Sequence, residues 1–182
     1  MTLRAAPAVV EWDRAQLREA TDEVLDVYAE AMGVAWAVAS SRRSVMHAHL
    51  DRAGLRAAAA LVGGRLVGVG YGYLGAPGQW WHDQVRSTLS AEQARDWLDG
   101  AFEVCELHVR PGLHGTGLGR AVLGLLLAGT SAATAVLTTP DLETRARAFY
   151  RSGGWVDLAR DLVFPGDPRS FAVLGRRLGS GP

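Results

Sequence analysis

Glycine occupies the alternate positions 115, 117 and 119, and this spacing is the strongest sign of chemistry in the sequence. Polar and apolar residues alternate at 106–109, which predicts a strand, and Pro111 ends it. The apolar run 121–128 predicts a buried helix directly after the glycines. Amide groups at a helix N-terminus bind anions, and glycine lets a ligand approach the backbone closely. The segment therefore predicts a pyrophosphate-binding loop.

Two common phosphate-binding loops do not fit this segment. A Walker loop needs Gly-Lys followed by Ser or Thr, whereas Gly119 is followed by Arg120 and Ala121. A dinucleotide-binding fingerprint needs a glycine at position 120. The segment His114-Gly115-Thr116-Gly117-Leu118-Gly119 instead resembles the loop of the GNAT superfamily, the acyl-CoA-dependent N-acetyltransferases, with histidine in place of the usual Gln or Arg.

A second segment strengthens the resemblance. Residues 146–155, Ala-Arg-Ala-Phe-Tyr-Arg-Ser-Gly-Gly-Trp, are similar to the late motif of the same superfamily. Glu143 stands where the family often has an asparagine that contacts the coenzyme. The order and separation of the two motifs make the pair far more specific than either alone, and the resemblance spans roughly Leu55 to Val173.

The resemblance implies the fold and the donor. It implies one α+β domain over 1–182, with a mixed, mostly antiparallel twisted sheet that is split between strands four and five and flanked by helices. It implies acetyl-CoA as the acyl donor, with no metal. The predicted cofactor-binding residues are Leu107, His108, Val109, His114, Gly115, Thr116, Gly117, Leu118, Gly119, Arg120, Glu143 and Tyr150.

Acetyl transfer to an amine needs a proton acceptor, a polarised carbonyl and a proton donor. An alkylamine with a pKa of about 10 must lose a proton near attack. Glu103 and Glu106 are the candidate bases, and their odd separation puts them on opposite faces of a regular strand. Glu103 stands where the histone-acetylating members have their base, whereas Glu106 lies nearer the strand end and shares a face with His108. Both stay open, with Glu106 favoured.

The family resemblance assigns the two remaining tasks. Tyr150 matches the family's general acid, because a phenol stays protonated at pH 7 and can donate to a thiolate. The backbone N–H of Val109 would polarise the thioester carbonyl.

An insertion at about 75–101 departs from a minimal member of the family. It carries Trp80 and Trp81, then a capping box at Ser90 that predicts a helix to about Leu98. The tryptophans either line the acceptor pocket, together with Tyr73, or fasten the insertion to the core.

Composition limits the partners. The 182 residues suit one domain, and 19 basic against 19 acidic residues give no overall attraction for nucleic acid or membrane. The arginines near the motifs, 110, 120, 145, 147 and 151, are mostly expected on a solvated face. Cys105, the single cysteine, is expected to be a buried thiol. With no signal pattern or apolar span, we expect a cytoplasmic protein, and a homodimer is left open.

Patterning predicts the remaining elements. Helices are expected at 13–32 and 44–52, and strands at 55–62 and 66–74 around a Gly63-Gly64 turn. Gly68, Gly70 and Gly72 form one face of the second strand, where close packing is favoured over ligand contact. Further strands are expected at 1–10, 102–109, 135–139, 155–158 and 170–177. His47 and His49 are expected on the surface, since their spacing does not suit a metal pair.

Direct transfer to the amine of a small molecule or peptide is the function that the sequence favours. A coenzyme-binding regulatory module without turnover is the first alternative, and Tyr150 argues against it. The second is a structural or partner-binding protein whose glycine loop is only a turn.

Overall fold

The computed structural model describes residues 6–179. The strands are β1 (Ala8–Trp12), β2 (Arg56–Val62), β3 (Arg65–Leu74), β4 (Phe102–Val109), β5 (Thr134–Pro140), β6 (Val156–Val163) and β7 (Ser170–Arg177). The helices are α1 (Arg14–Glu19), α2 (Thr21–Met32), α3 (Trp36–Ser40), α4 (Arg43–Leu50), α5 (Trp80–Thr88), α6 (Ala91–Gln93), α7 (Leu118–Ala128) and α8 (Arg145–Ser152). A π-helical turn (Ala94–Leu98) follows α6 and a 3-10 turn (Pro111–Leu113) follows β4.

The chain forms two compact units. The first runs to Tyr73 and includes Val104–Thr130, and the second holds Leu74–Glu103 and the chain from Ser131 onward. Strand β4 contributes its first two residues to the second unit and the rest to the first. The prediction of a single domain stays a prediction.

In the first unit the strands lie in the order β1-β2-β3-β4. The β1–β2 and β2–β3 pairs are antiparallel. Gly63 and Gly64 take positive φ values of 57° and 79°, as the predicted hairpin turn requires. Apolar side chains of α1, α2 and α4 pack on β2 and β3 to form the core: Leu17, Val24, Val27, Met46, Leu50, Ala57, Ala59, Leu66, Val69 and Tyr71. Strand β4 lies next to β3 in the sheet, so this packing also holds β4 in position.

In the second unit the order is β4-β5-β7-β6. The β5–β7 and β7–β6 pairs are antiparallel, whereas β4 and β5 are parallel. That parallel pairing covers Phe102 with Ala135 and Glu103 with Val136, at the start of β4. The α+β fold class, with a mostly antiparallel sheet and its split between strands four and five, is confirmed. The core of this unit contains Val85, Leu98, Ala101, Val136, Leu162, Phe164 and Val173.

Several predicted boundaries were wrong. The helix expected at 13–32 is interrupted at Ala20, because Asp13 caps a first short helix and a second one begins at Thr21. Helix α3 was not predicted, and α4 spans Arg43–Leu50 rather than 44–52. Strand β6 runs on to Val163, well past the expected end at 158. The lead strand begins at Ala8, and residues 1–5 of that prediction lie outside the described residues.

The insertion contains more helix than expected. Helix α5, with both tryptophans in its first turn, was missed. The capping box at Ser90 is present, but the helix that it opens changes to a π-helical turn after Gln93.

Candidate functional site

The glycine loop leads into α7 as predicted. Gly115 and Gly117 have φ values of 79° and 88°, a left-handed conformation that L side chains rarely adopt. Gly117 is the N-cap of α7, and no side chain caps this helix. The first-turn amides of a helix have no acceptor within the helix, so these groups point towards the loop. A side chain at Gly112, Gly115 or Gly117 would meet open space.

Arg110 fixes the start of the loop. Its Nε donates to the Leu66 carbonyl at 3.0 Å, and its backbone N–H donates to Val67 at 2.9 Å. The guanidinium also pairs with Asp26 at 2.8 Å and with Glu30, both on α2. Burial alone would lower the pKa of Arg110, but the hydrogen bonds that it donates to Glu30 and Asp26 raise it, so this side chain stays cationic. Arg110 is therefore a structural anchor rather than part of a solvated face.

The side chain of His114 forms a hydrogen bond with the end of β4. Its Nε2 lies 2.9 Å from the Val109 carbonyl oxygen and donates to it in the Nε2-protonated tautomer. The side chain therefore holds the loop against the end of β4. The predicted cofactor contact of His114 stays a prediction.

Glu106 lies between two basic side chains. Its Oε1 accepts from Arg42 at 2.5 Å, and its Oε2 lies 2.6 Å from Nε2 of His108. Glu106 and His108 share a face of β4, as the alternation predicted. Their side chains are 15% and 12% exposed, whereas Arg42 is 42% exposed. The three side chains define the Glu106 cluster.

Electrostatics keep Glu106 ionised. Burial alone would raise the pKa of Glu106, but the hydrogen bond with His108, together with Arg42, lowers it below its usual value. Burial likewise opposes the charge on Arg42, and Glu106 raises the pKa of that guanidinium. The carboxylate is thus a fixed anion near neutral pH.

A pocket of the first unit surrounds the Glu106 cluster. Its cavity volume is about 10 Å³, about the space of one water molecule. Its apolar and aromatic wall consists of Val24, Leu25, Tyr28, Val45, Met46 and Tyr71. Arg42 stacks over the Tyr28 ring at 4.9 Å, and the same ring meets His108 edge-on at 5.1 Å. Two ring contacts with the Glu106 cluster thus come from one tyrosine of α2.

His49 packs beside this pocket. Its Nδ1 lies 3.3 Å from the Tyr71 hydroxyl, and its ring lies 5.2 Å from that of Tyr73. Burial lowers the pKa of His49 and raises that of Tyr71 well above its usual value. The expectation of surface histidines was wrong in degree, since His47 and His49 are half-buried. Tyr73, predicted to bind the acceptor, is 2% exposed.

The glycines of β3 allow close packing against β4 and α7. A Cβ at Gly70 would lie 3.1 Å from both Leu107 Cδ1 and Val122 Cγ1, and one at Gly68 would lie 3.1 Å from Val109 Cγ2. The packing interpretation is confirmed for Gly68 and Gly70, while that of Gly72 stays a prediction. This packing places β4, with Glu106 and His108, firmly against its neighbours.

In the second unit, Tyr150 lies on α8. Its half-buried ring contacts Phe149 at 5.2 Å and Trp155 at 5.5 Å. Glu143, 75% exposed, pairs with Arg151 at 3.0 Å, which gives it a structural partner. The roles of Tyr150 as an acid and of Glu143 as a coenzyme contact stay predictions.

Arg147 departs from the expected solvated face. Its side chain is 0% exposed and pairs with Asp141 at 2.8 Å and Asp157 at 2.7 Å. Of the five arginines near the motifs, Arg110 and Arg147 are buried. The other three, Arg120, Arg145 and Arg151, are exposed.

The insertion's tryptophans have separate surroundings. Trp81 donates from Nε1 to Thr138 Oγ1 on β5 at 3.1 Å, which fastens α5 to that strand. Trp80 is 55% exposed and lies 5.2 Å from the Phe164 ring. Glu103, the other candidate base, is 4% exposed at the start of β4. Acceptor binding by Trp80 and Trp81, and the role of Glu103, stay predictions.

Arg42 and Tyr28 were not singled out from the sequence. Arg42 stands 64 positions from Glu106, and no local pattern signals that pairing. Cys105 is only half-buried beside the core of the first unit. Within residues 6–179, no helix is long and apolar enough to cross a membrane, and no group of three or more His, Cys, Asp or Glu side chains could hold a metal ion.

Solved structures share this fold. A GNAT-family protein from Desulfovibrio desulfuricans matches 94% of this chain and 99% of its own, with a TM-score of 0.68 at 17% identity. Aminoglycoside 6'-acetyltransferase type Ii matches 96% and 99%, with 0.67 at 16%. The structure of yncA from Salmonella typhimurium with its cofactor acetyl-CoA matches 98% and 97%, with 0.65 at 14%. At these identities the likeness concerns the fold, which is that of the acetyltransferases.

Sequence similarity narrows the class. The GCN5-like protein acetyltransferase Rv2170 of Mycobacterium tuberculosis is 42% identical over 136 residues, which cover 70% of this chain. The chain spans 66% of the length of that relative. No family model matches the sequence. With this relative and the shared fold, the chain belongs to the GCN5-like, or GNAT, acetyltransferases.

Proposed function

We propose that this protein is an N-acetyltransferase that moves an acetyl group from acetyl-CoA to an amine by direct attack in a ternary complex. One observation carries the proposal. Strand β4 bears the Glu106 cluster in a pocket, and the same strand runs directly into a left-handed glycine loop that opens the uncapped helix α7. Glu106 and His108 can exchange protons, and the loop residues 114–119 can bind phosphate. The two sets are thus six to thirteen positions apart in the sequence.

The donor would bind through its pyrophosphate at the loop. The open space beside Gly115 and Gly117 suits phosphate oxygens, and the positive end of the α7 dipole favours their charge. The predicted contacts run from Leu107 to Val109 and from His114 to Arg120, with Glu143 and Tyr150 assigned by the family resemblance. The GNAT-fold protein yncA, whose structure contains acetyl-CoA, supports this choice of donor.

Proton removal from the amine is assigned to the Glu106 cluster. Of the two candidate carboxylates, Glu106 is the one that lines a pocket, whereas Glu103 is 4% exposed. The Val109 N–H is the proposed donor to the thioester oxygen, and Tyr150 the proposed acid for the departing thiolate. No step in this scheme uses a metal.

The acceptor is proposed to be the amine of a small molecule or a peptide. The pocket has room for the amine end of an acceptor, which would lie among apolar and aromatic side chains beside one fixed carboxylate. The relative from Mycobacterium tuberculosis is named a protein acetyltransferase, so peptide amines belong in the acceptor screen beside small amines.

The thermal shift caused by acetyl-CoA tests the donor assignment. At a hundredfold excess over its dissociation constant, the ligand adds about 2.7 kcal/mol, or roughly 5 to 10 °C in Tm. Gly117→Val should abolish the shift. Gly166→Val is the matched control, because Gly166 has a φ of 85° and open space beside it, but lies in the β6–β7 turn. A wild-type protein without a shift would refute the proposal, and a shift retained in Gly117→Val would refute the loop assignment.

Tyr150→Phe separates an enzyme from a coenzyme-binding regulatory module. The variant keeps the ring contacts with Phe149 and Trp155 but loses the proton donor. Acetyl-CoA binding should hardly change, and turnover should fall by ~10² to 10⁴. Binding without turnover in the wild-type protein, across the whole acceptor screen, would favour the regulatory module.

A further inference from the structure

Both oxygens of the Glu106 carboxylate are already engaged. Oε1 accepts from Arg42 and Oε2 lies 2.6 Å from His108 Nε2, with the carboxylate 15% exposed. Hydrogen bonds to the charged form stabilise it, and the pKa of Glu106 is accordingly lowered by His108 and Arg42 against the effect of burial. A carboxylate held in this way has little tendency to take a further proton.

The imidazole of His108, in contrast, has a nitrogen that can accept a proton. When Nε2 carries the hydrogen donated to Glu106, the other nitrogen, Nδ1, carries a lone pair. No hydrogen bond from Nδ1 is formed within residues 6–179, and the ring is 12% exposed in the wall of the pocket. Its edge contact with Tyr28 at 5.1 Å and its bond to Glu106 restrict its orientation. A carboxylate that fixes the tautomer of a histidine is a recurring way to build a base.

We propose that His108 is the general base, that its Nδ1 takes the proton of the attacking amine, and that Glu106 is a positioning residue held in place by Arg42. This inference rests on the proposed function. The charged and titratable groups that face the imidazole are Glu106 on β4, Arg42 next to α4, Tyr28 on α2 and Tyr71 on β3.

The transfer conserves atoms and electrons. The neutral amine nitrogen forms a bond to the carbonyl carbon and loses one proton to Nδ1 of His108. The carbon–sulfur bond breaks with its electron pair on sulfur, and sulfur takes a proton, for which Tyr150 is the proposed donor. The products are the amide and free coenzyme A. His108 releases its proton to solvent, and Tyr150 regains one from solvent.

Rescue of His108→Ala by imidazole tests the inference. The variant should lose ~10² to 10⁴ in kcat at saturating acetyl-CoA. Added imidazole should recover part of that rate, because it can take the amine proton in the space left by the side chain. Glu106→Gln should lose less and should gain nothing from imidazole, since its histidine is still present. His47→Ala, which removes a half-buried histidine bonded to Thr21 outside the pocket, is the matched control and should keep the wild-type rate.

A double variant tests whether the two residues act as one unit. If Glu106 acts through His108, the variant lacking both should be no slower than His108→Ala alone. A double loss equal to the product of the single losses, or a His108→Ala rate within threefold of wild type, would overturn the inference. If His108→Ala does not fold, His108→Gln replaces it in the double-variant comparison, which then decides alone.

The acetyl-CoA thermal shift keeps the two proposals distinguishable. The His108 side chain is proposed to contact the acceptor amine, and the proposed acetyl-CoA contact of residue 108 would come from its backbone. All variants should therefore retain the shift and an unchanged KM for acetyl-CoA. A wild-type protein without a shift or turnover refutes the proposed function. A shift with turnover, but with the wrong pattern among the variants, refutes only the assignment to His108.

Discussion

Two arginines show how differently the same kind of ion pair can serve a protein. Arg147 is 0% exposed and binds two carboxylates. Asp141 directly follows β5, and Asp157 is on β6. Arg42 is 42% exposed and binds one carboxylate, Glu106, in a pocket wall. A fully buried charge is costly to leave unpaired, whereas a half-exposed charge can be rehydrated. The first arginine thus determines stability, and the second determines the charge of a site.

Arg147→Met should have the largest effect on stability. Removing Arg147 leaves Asp141, 2% exposed, with the half-exposed Arg160 as its remaining counter-charge and takes the buried partner from Asp157, at a cost of about 3 to 5 kcal/mol. For a chain of this size this corresponds to a fall in Tm of roughly 6 to 20 °C. Urea unfolding measures the free energy directly.

Arg160→Met is the matched control for that loss. Arg160 also binds Asp141, but it is 50% exposed, so its removal should cost less than about 1 kcal/mol. Equal losses for both arginines would show that burial does not separate them.

Arg42→Gln should have an intermediate effect, on activity rather than on stability. The variant should lose less than about 1 kcal/mol of unfolding free energy. Loss of the guanidinium raises the pKa of Glu106. The carboxylate that positions His108 should then be neutralised at a higher pH, and the acid limb of the pH–rate profile should move in the same direction. Each pKa unit corresponds to a tenfold change in the protonation equilibrium.

Arg43→Gln gives the comparison for the pH profile. Arg43 is in the same helical segment but pairs with Asp22, which is 70% exposed and does not line the pocket. Its profile should match that of the wild type. An unmoved acid limb in Arg42→Gln would mean that Arg42 does not control the charge of Glu106.

The smallest effect is expected in the acid dependence of stability. Burial alone would raise the pKa of Asp141, but the Asp161 N–H, Arg160 and Arg147 lower it below its ordinary value. A group whose folded-state pKa is lowered stabilises the fold above its unfolded value of about 3.9, and this contribution is lost as pH falls further. The urea midpoint should therefore decline between about pH 5 and pH 3. The decline should be shallower in Arg147→Met, and equal slopes would contradict the assignment to this ion pair.

The sequence predicted those features that depend on neighbouring residues. Strand β7 was predicted with the observed bounds, and the Gly63-Gly64 turn and the Ser90 capping box follow from local backbone chemistry. The glycine loop and its helix were found for the same reason. Helix α5 was missed because its sequence, Trp-Trp-His-Asp-Gln-Val-Arg-Ser-Thr, has few strong helix formers and is stabilised by packing, including the bond from Trp81 to Thr138.

The candidate site was only partly predictable. Glu106 and His108 came together because alternate residues of a strand share a face. Arg42 could not be assigned, since the fold brings it to Glu106 from the end of a helical segment that was itself misplaced. Arg147 was misjudged because no local pattern shows that the carboxylates six and ten positions away, Asp141 and Asp157, enclose it.

The tight packing at Gly70 limits how this protein can be redesigned. Its backbone torsions suit any residue, so a survey of conformation alone would accept alanine there as a stabilising change. The space is filled by Leu107 and Val122, and Leu107 is the residue between Glu106 and His108 on β4. One added methyl group would require the Leu107 and Val122 side chains to move by a few tenths of an ångström, next to the two residues that Leu107 separates on β4. In a directed-evolution library, a substitution at Gly70 would therefore change both the packing of β4 and the alignment of Glu106 and His108.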